Sequence, residues 1–189
     1  MTIKDIIKSA ATFLNLTDVT EYLNSASSSQ SQTPAAATAS AVDSLTRLSN
    51  LVISELAASY IPMTCAETVT TTDGKIVFAS LTHNVTRILS VKNQFGHDAE
   101  FKLFPEYLKV FGGEYTVEYE YAPENYGLND SAGFKKEVTA ALLGYGVAAE
   151  YCVTQGRFEE AILWRKRYTA GVERIALPKS AKMKGRCWL

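Results

Sequence analysis

The sequence predicts an α+β fold: a helical bundle with an inserted antiparallel β-sheet at about residues 65–122, then a C-terminal αα-hairpin and an extended tail. Three observations carry that reading. Apolar residues recur at helical spacing toward both ends of the chain, the period changes to two between Cys65 and Tyr121, and Pro62 and Pro123 stand where the period changes. The chain has 189 residues, enough for one domain with an excursion, because a chain of about 150 residues or more hides roughly 70% of the surface it exposes when unfolded.

The elements follow in order. Ile3, Ile6, Ile7, Ala10 and Leu14 predict a short helix over Thr2–Leu14, and Asp18–Leu23 adds another turn, so residues 1–24 form an N-terminal helical segment. Residues 25–41 use only Ala, Ser, Thr, Gln and one Pro and read as a linker or surface loop, since they offer a core nothing large and apolar. The α+β core is expected over 42–178, with the β insertion at 65–122. Ser40 with Asp43 resembles a capping box, and Leu45, Leu48, Val52, Leu56 and Tyr60 form one apolar stripe that Pro62 terminates near Ile61. Strands are expected at Thr68–Thr72, Lys75–Ala79, Val85–Lys92, Glu100–Phe104, Tyr107–Phe111 and Tyr115–Tyr121, with Asp73-Gly74 as a hairpin turn and Gly112-Gly113 as another. In Tyr115–Tyr121 the apolar and aromatic residues hold the odd positions, giving one buried face and one wet face. After a loop at Pro123–Gly133, a helix is expected over about Gly133–Thr154, stopped by Gly156, and a second over about Arg157–Ile175, with Ala161, Trp164, Tyr168, Val172 and Ile175 on its stripe. Pro178 ends it, and 179–189 is a basic C-terminal arm.

Composition narrows the function classes. A hydrophobic content of 47% and a charged content of 21% are ordinary for a globular protein, and a net charge of −1 gives no global field toward DNA or an anionic membrane. Charge is segregated locally: Arg165–Leu189 holds eight basic residues and one acid, Glu173, whereas Glu114–Asp130 holds five acids and no base. Such a chain can pair with copies of itself or with two different neighbours. Neither a secretory leader nor a membrane span is expected, and Cys65, Cys152 and Cys187 are expected to be reduced thiols.

The motifs point away from catalysis, and neither cofactor nor metal is expected. His83 and His97 have no second histidine at ligand spacing and read as loop residues. Gly144-Tyr145-Gly146-Val147-Ala148-Ala149 matches a dinucleotide-binding pattern, but that pattern acts only between a strand and a helix, and here the preceding residues are helical. Ala140, Gly144 and Ala148, spaced by four, form instead a strip without bulk; it permits close packing inside the hairpin or close approach of another subunit. Glu118 and Glu120 share one strand face, which reads as a solvated face or an acidic interface. The arm with Lys179, Lys182, Lys184, Arg186, Trp188 and Leu189 can fold back on its own domain, dock into a partner, or touch nucleic acid.

One further likeness bears on these options. Leu48-Ser-Asn-Leu-Val-Ile-Ser-Glu-Leu-Ala57 with Tyr60 and Pro62, then Val117-Glu-Tyr-Glu-Tyr-Ala-Pro123, then Leu143-Gly-Tyr-Gly-Val-Ala-Ala-Glu-Tyr151 with Gly156, Phe158, Glu159, Ala161, Trp164 and Tyr168, and finally Arg186-Cys-Trp188, together resemble the head–tail adaptor (connector) proteins of tailed bacteriophages, of the short-tailed type. The resemblance runs from Leu45 onward and leaves the 25–41 segment without a role. It implies a structural, non-enzymatic protein of the virion, assembled in the host bacterial cytoplasm as a homo-oligomeric ring, commonly a dodecamer. Its implied partners are the portal protein, which the C-terminal arm would reach, a tail or nozzle protein on the side of the sheet, and DNA passing through the channel, touched non-specifically. The rival expectation is a nucleic-acid-associated packaging protein that uses the basic tail.

Overall fold

The computed structural model describes residues 1–25, 35–134 and 137–176. They form a mixed α+β protein with five α-helices and two small antiparallel sheets of three strands each. The chain divides into two compact units: Met1–Val52 together with the residues from Tyr126 onward, and Ile53–Asn125, which interrupts the first unit in sequence.

The first unit is helical. α1 (Ile3–Phe13) starts at Thr2, whose hydroxyl accepts the Asp5 N–H while the Asp5 carboxylate accepts the Thr2 N–H, a reciprocal capping box. These hydrogen bonds, the backbone one first, hold the Asp5 carboxyl below its ordinary range despite partial burial. The helix buries Ile3, Ile6, Ile7 and Ala10, as their spacing predicts. It ends with Asn15 at φ 56°, where Leu16 N–H reaches Ala11 O at 2.9 Å and Asn15 N–H reaches Thr12 O at 3.3 Å. α2 is Thr17–Ser25 and buries Val19 and Leu23.

Two helix starts differ from the expectation. α3 runs Ala36–Ser59, so Ser40 lies inside it and caps nothing. The reading of residues 25–41 as a linker weighed their lack of core side chains, but alanine is the best helix former, and Ala36–Ala41 extends a helix whose stripe lies further on. Residues 26–34 fall outside the described residues. α4 runs Ala140–Thr154 rather than from Gly133, because Thr139 is extended (φ −99°, ψ 155°) and its hydroxyl accepts the Leu142 N–H at 3.2 Å. The end of α4 matches expectation in detail: Gly156 has φ 72°, its N–H reaches Val153 O, and Arg157 N–H reaches Cys152 O at 2.8 Å. α5 (Phe158–Ala176) buries Ala161, Tyr168 and Val172. α4 packs on both α1 and α5.

The loop before α4 is tied down by polar contacts. Ile3 N–H donates to Asp130 O at 3.0 Å and Lys4 N–H to Leu128 O at 2.9 Å, so the first turn of α1 finds its missing acceptors in 127–132. The Asn50 side chain serves Tyr126 as a strand neighbour would: Oδ1 accepts the Tyr126 N–H and Nδ2 donates to Tyr126 O, both at 3.0 Å.

The second unit contains the six strands: β1 (Met63–Thr71), β2 (Lys75–Val77), β3 (Val85–Asn93), β4 (Lys102–Leu103), β5 (Tyr107–Lys109) and β6 (Gly113–Tyr121). The inserted β segment forms two sheets, ordered β1-β6-β3 and β2-β5-β4, rather than one. Asp73-Gly74 does turn the chain, with Gly74 at φ 67°, but the strands it joins enter different sheets. The Thr71 hydroxyl closes this turn by accepting the Lys75 N–H and donating to Lys75 O. Buried side chains of both sheets (Ile76, Leu108, Val91, Tyr115, Val117 and Tyr119) share one core. The alternation in β6 is as the sequence predicts, with Val117 and Tyr119 buried and Glu118 and Glu120 half-buried on the opposite face.

Candidate functional site

The strip on α4 was the clearest site expectation within the described residues. Gly144 is buried, and a Cβ placed there would lie 2.9 Å from Ser9 Cβ, 3.2 Å from Phe13 Cε2 and 3.3 Å from Ala10 N. The close approach that this glycine permits is therefore made by α1 of the same chain, not by α5. Ala148 is fully buried and Ala140, in the first turn, half-buried. Gly146 plays the corresponding part toward α3 and α5, since its Cβ would meet Val52 Cγ1 at 2.7 Å and the Tyr168 ring at 3.2 Å. The two glycines of the dinucleotide-like pattern are thus helix-packing residues inside α4. Alanine at Gly144 gains about 1 kcal/mol of helix propensity, against about 1–3 kcal/mol for overpacking a filled interior. A net loss near 1 kcal/mol is the expected result for Gly144→Ala, to be read by chemical denaturation.

Around Gly144 stands a cluster of near-parallel rings. Phe13 and Tyr145 have centroids 4.6 Å apart, Phe13 and Trp164 5.5 Å, and Arg167 lies 4.8 Å over Trp164. Offset stacking and a covering guanidinium explain why Trp164, on the expected stripe of α5, is held half-buried.

The other face of α4 and α5 is different. Phe158, Ile162 and Leu163 are 62–67% exposed, and Val153 is 45% exposed. Between the helices lies an open groove of about 670 Å³, with Ala149, Val153, Phe158 and Ile162 on its walls and Arg165 and Lys166 along its side. The Arg165 guanidinium is held by Glu150, and Arg157 pairs with Glu160 at 3.2 Å. Contiguous exposed apolar surface of this kind marks an interaction site more often than a solvated face. The groove is absent from the expectations above because Phe158 and Ile162 lie off the stripe Ala161–Trp164–Tyr168–Val172 of α5. The signal was the second apolar row, Phe158 and Ile162, at spacing four.

The β-rich unit exposes aromatic residues at one end. Thr71 pairs with Gly113 and Asn93 with Tyr115, so β1 and β3 leave, and β6 enters, at the same end of their sheet. Two ordered turns there present the most exposed large apolar residues described, Phe95 at 75% and Phe111 at 79%. The Asn93 carboxamide accepts the N–H groups of Phe95 and His97, both at 3.0 Å, and Gly96 takes φ 80°. Phe111 follows Val110, whose N–H donates to Gly74 O at 2.8 Å.

The ionisable groups gather elsewhere, around Glu67 on β1. Tyr119 Oη donates to Glu67 Oε1, Thr82 N–H to both carboxylate oxygens at 3.2 Å, and Cys65 Sγ lies 3.7 Å away. Burial pushes the Glu67 carboxyl up, but the donors outweigh it and its pKa falls below the ordinary value. Burial, and then the hydrogen bond to Glu67, push the Tyr119 phenol up. His83 stacks on Tyr121 at 4.2 Å. This cluster is closed on itself by hydrogen bonds; Glu118, on the other face, accepts from Ser90 Oγ at 3.1 Å. Cys152 is buried, and that burial raises its thiol pKa, making it a poor nucleophile. Among the described residues no group of three or more His, Cys, Asp or Glu is placed to hold a metal ion, and no helix is long and apolar enough to cross a membrane. The arm residues Lys179, Lys182, Lys184, Arg186, Trp188 and Leu189 lie outside the described residues.

No protein-family model matches the chain, and comparison with curated proteins yields no match.

Proposed function

We propose that this chain is a structural head–tail adaptor of a bacteriophage virion, forming a ring that joins the portal to the tail and lines the DNA channel. In this reading the helices form one bundle, the β-rich segment is an insertion in it, and α4 and α5 are an αα-hairpin leading into an extended arm that docks on the portal. Twelve copies, a tail or nozzle protein below the sheets, and non-specific contact with passing DNA complete the assembly.

The observation that carries the proposal is the exposed apolar row on α4 and α5, Val153, Phe158 and Ile162. It lies in the block of sequence that resembles the adaptors, and large exposed apolar side chains on an ordered helix pair suit a surface that is covered on assembly. Acidic and basic segments on one chain suit head-to-tail contacts, in which charge sets register more than affinity.

The test uses the full chain and a portal ring. Mass measurement and electron microscopy are expected to show a closed ring, alone or on the portal. Removal of Arg186–Leu189 is expected to leave the circular dichroism spectrum unchanged and to abolish portal binding. Retention of binding by the shortened chain refutes the docking role of the arm, and failure of the full chain to bind a portal refutes the adaptor reading.

A further inference from the structure

We infer that the α4–α5 groove is the receptor for the Phe111 turn of a second copy of this chain. The inference deepens the adaptor reading and rests on it in naming a second copy as the occupant. The two surfaces are of opposite shape. The groove is a long open trough with apolar walls, Val153, Phe158 and Ile162. The Phe111 turn is a projection: the backbone approaches so closely at Gly74 that a Cβ would collide with Val110 O, the contact at Gly112 with Thr72 O is tight at 3.2 Å, and Phe111 is left 79% exposed beside them. The Val110 N–H to Gly74 O bond at 2.8 Å fixes the backbone beside Phe111, so docking orders little beyond the side chain itself.

Charge agrees with shape. Glu114 follows Phe111 by three residues and Asp73 stands in the neighbouring turn, whose Gly74 meets the backbone of Val110 and Phe111; Lys166 lies along the groove, beside an Arg165 already paired with Glu150. The opposite signs are present as well: Glu173 lines the groove, and Lys75 and Lys109 stand opposite each other across β2 and β5. Charges of both signs on each surface favour one orientation of the contact over the reverse. Receptor and projection occupy different patches of one chain, so the contact is heterologous and repeats from copy to copy, closing into a ring or continuing as a filament.

The experiment uses two full-length variants, Phe111→Asp and Ile162→Asp. Both positions are exposed (79% and 67%), so the circular dichroism spectra are expected to match the parent. The parent chain is expected to form oligomers by analytical ultracentrifugation, and each variant alone to be monomeric. Mixed in equal amounts, the variants retain one intact projection and one intact groove and are expected to form a dimer that grows no further. A parent chain that stays monomeric at every concentration overturns the inference, as does a variant that assembles like the parent. Oligomers that appear only after residues 177–189 are deleted place the chain's own arm in the groove and also overturn it. Copies that assemble as described yet ignore the portal leave this contact standing and refute the adaptor reading; a portal-binding monomer does the reverse.

Discussion

Gly74→Ala is expected to destabilise the β-rich unit by about 2–3 kcal/mol, the sum of roughly 1–2 for a left-handed backbone at a residue with a Cβ and about 1 for the hydrogen bond it breaks. Gly74 has φ 67°, and a Cβ there would fall on the backbone oxygen of Val110, which cannot rotate away as a side chain would. The Val110 N–H to Gly74 O bond at 2.8 Å must then lengthen or open. Gly96 supplies the control within the same unit: its φ is 80° and nothing lies within 4 Å of its Cβ position. Gly96→Ala therefore carries the conformational cost alone, about 1–2 kcal/mol. Asparagine tolerates the left-handed region, so Gly74→Asn relieves the conformational cost and keeps the collision. Chemical denaturation is expected to rank Gly74→Ala below both Gly74→Asn and Gly96→Ala, and amide exchange at Val110 is expected to accelerate in both Gly74 variants. Equal losses at Gly74 and Gly96 would show that the collision is relieved at no cost.

The same turn shows what sequence reading reaches and where it stops. Asp73-Gly74 announces a turn because a positive φ must be paid for by a residue without Cβ. Nothing in those residues says that the flanking strands pair elsewhere, β1 with β6 and β2 with β5, because partners are set by a core shared among side chains distant in sequence. The α1 stripe, the β6 alternation and the Gly156 stop were legible for the opposite reason: each is a local pattern whose cause lies within a few residues. Residues 25–41 misled because alanine serves helix and linker alike when no neighbour is known. Gly144 was legible as a place of close packing but not as to its partner, since α1 precedes it by some 130 residues, the separation of Ser9 and Gly144 being 135. The groove on α5 follows the same rule: the second apolar row is visible in the sequence, while its exposure depends on which face of the helix the rest of the chain covers.

Tyr119→Phe is expected to cost about 1.5–3 kcal/mol at neutral pH, the range for a hydrogen bond to a charged group. Tyr119 is completely buried, its ring fills the core between the sheets, and phenylalanine keeps that packing while removing the Oη donor from Glu67. Glu67 stands on the inward side of an edge strand, where an inward-pointing charge discourages pairing with a stray strand. Its carboxylate is acceptable there because Tyr119 and the Thr82 N–H satisfy it. The sign of the pH dependence follows from the depressed carboxyl. In the unfolded chain Glu67 titrates near 4.5; folded, it titrates lower, so the folded state binds fewer protons in between. The stabilisation is full above the unfolded value and is lost as pH falls through the folded one. Tyr119 adds the opposite limb, because its phenol stays protonated in the fold at a pH where the unfolded phenol, with an ordinary value of 10.0, ionises, so stability falls again in strong alkali. Urea denaturation at neutral and at acid pH is the measurement. The gap between parent and Tyr119→Phe is expected to be wide at neutral pH and to narrow once Glu67 is protonated. A gap of constant width would show that the Tyr119 hydroxyl does not act through the charge of Glu67, and it would remove the account of how a charge is held at that edge.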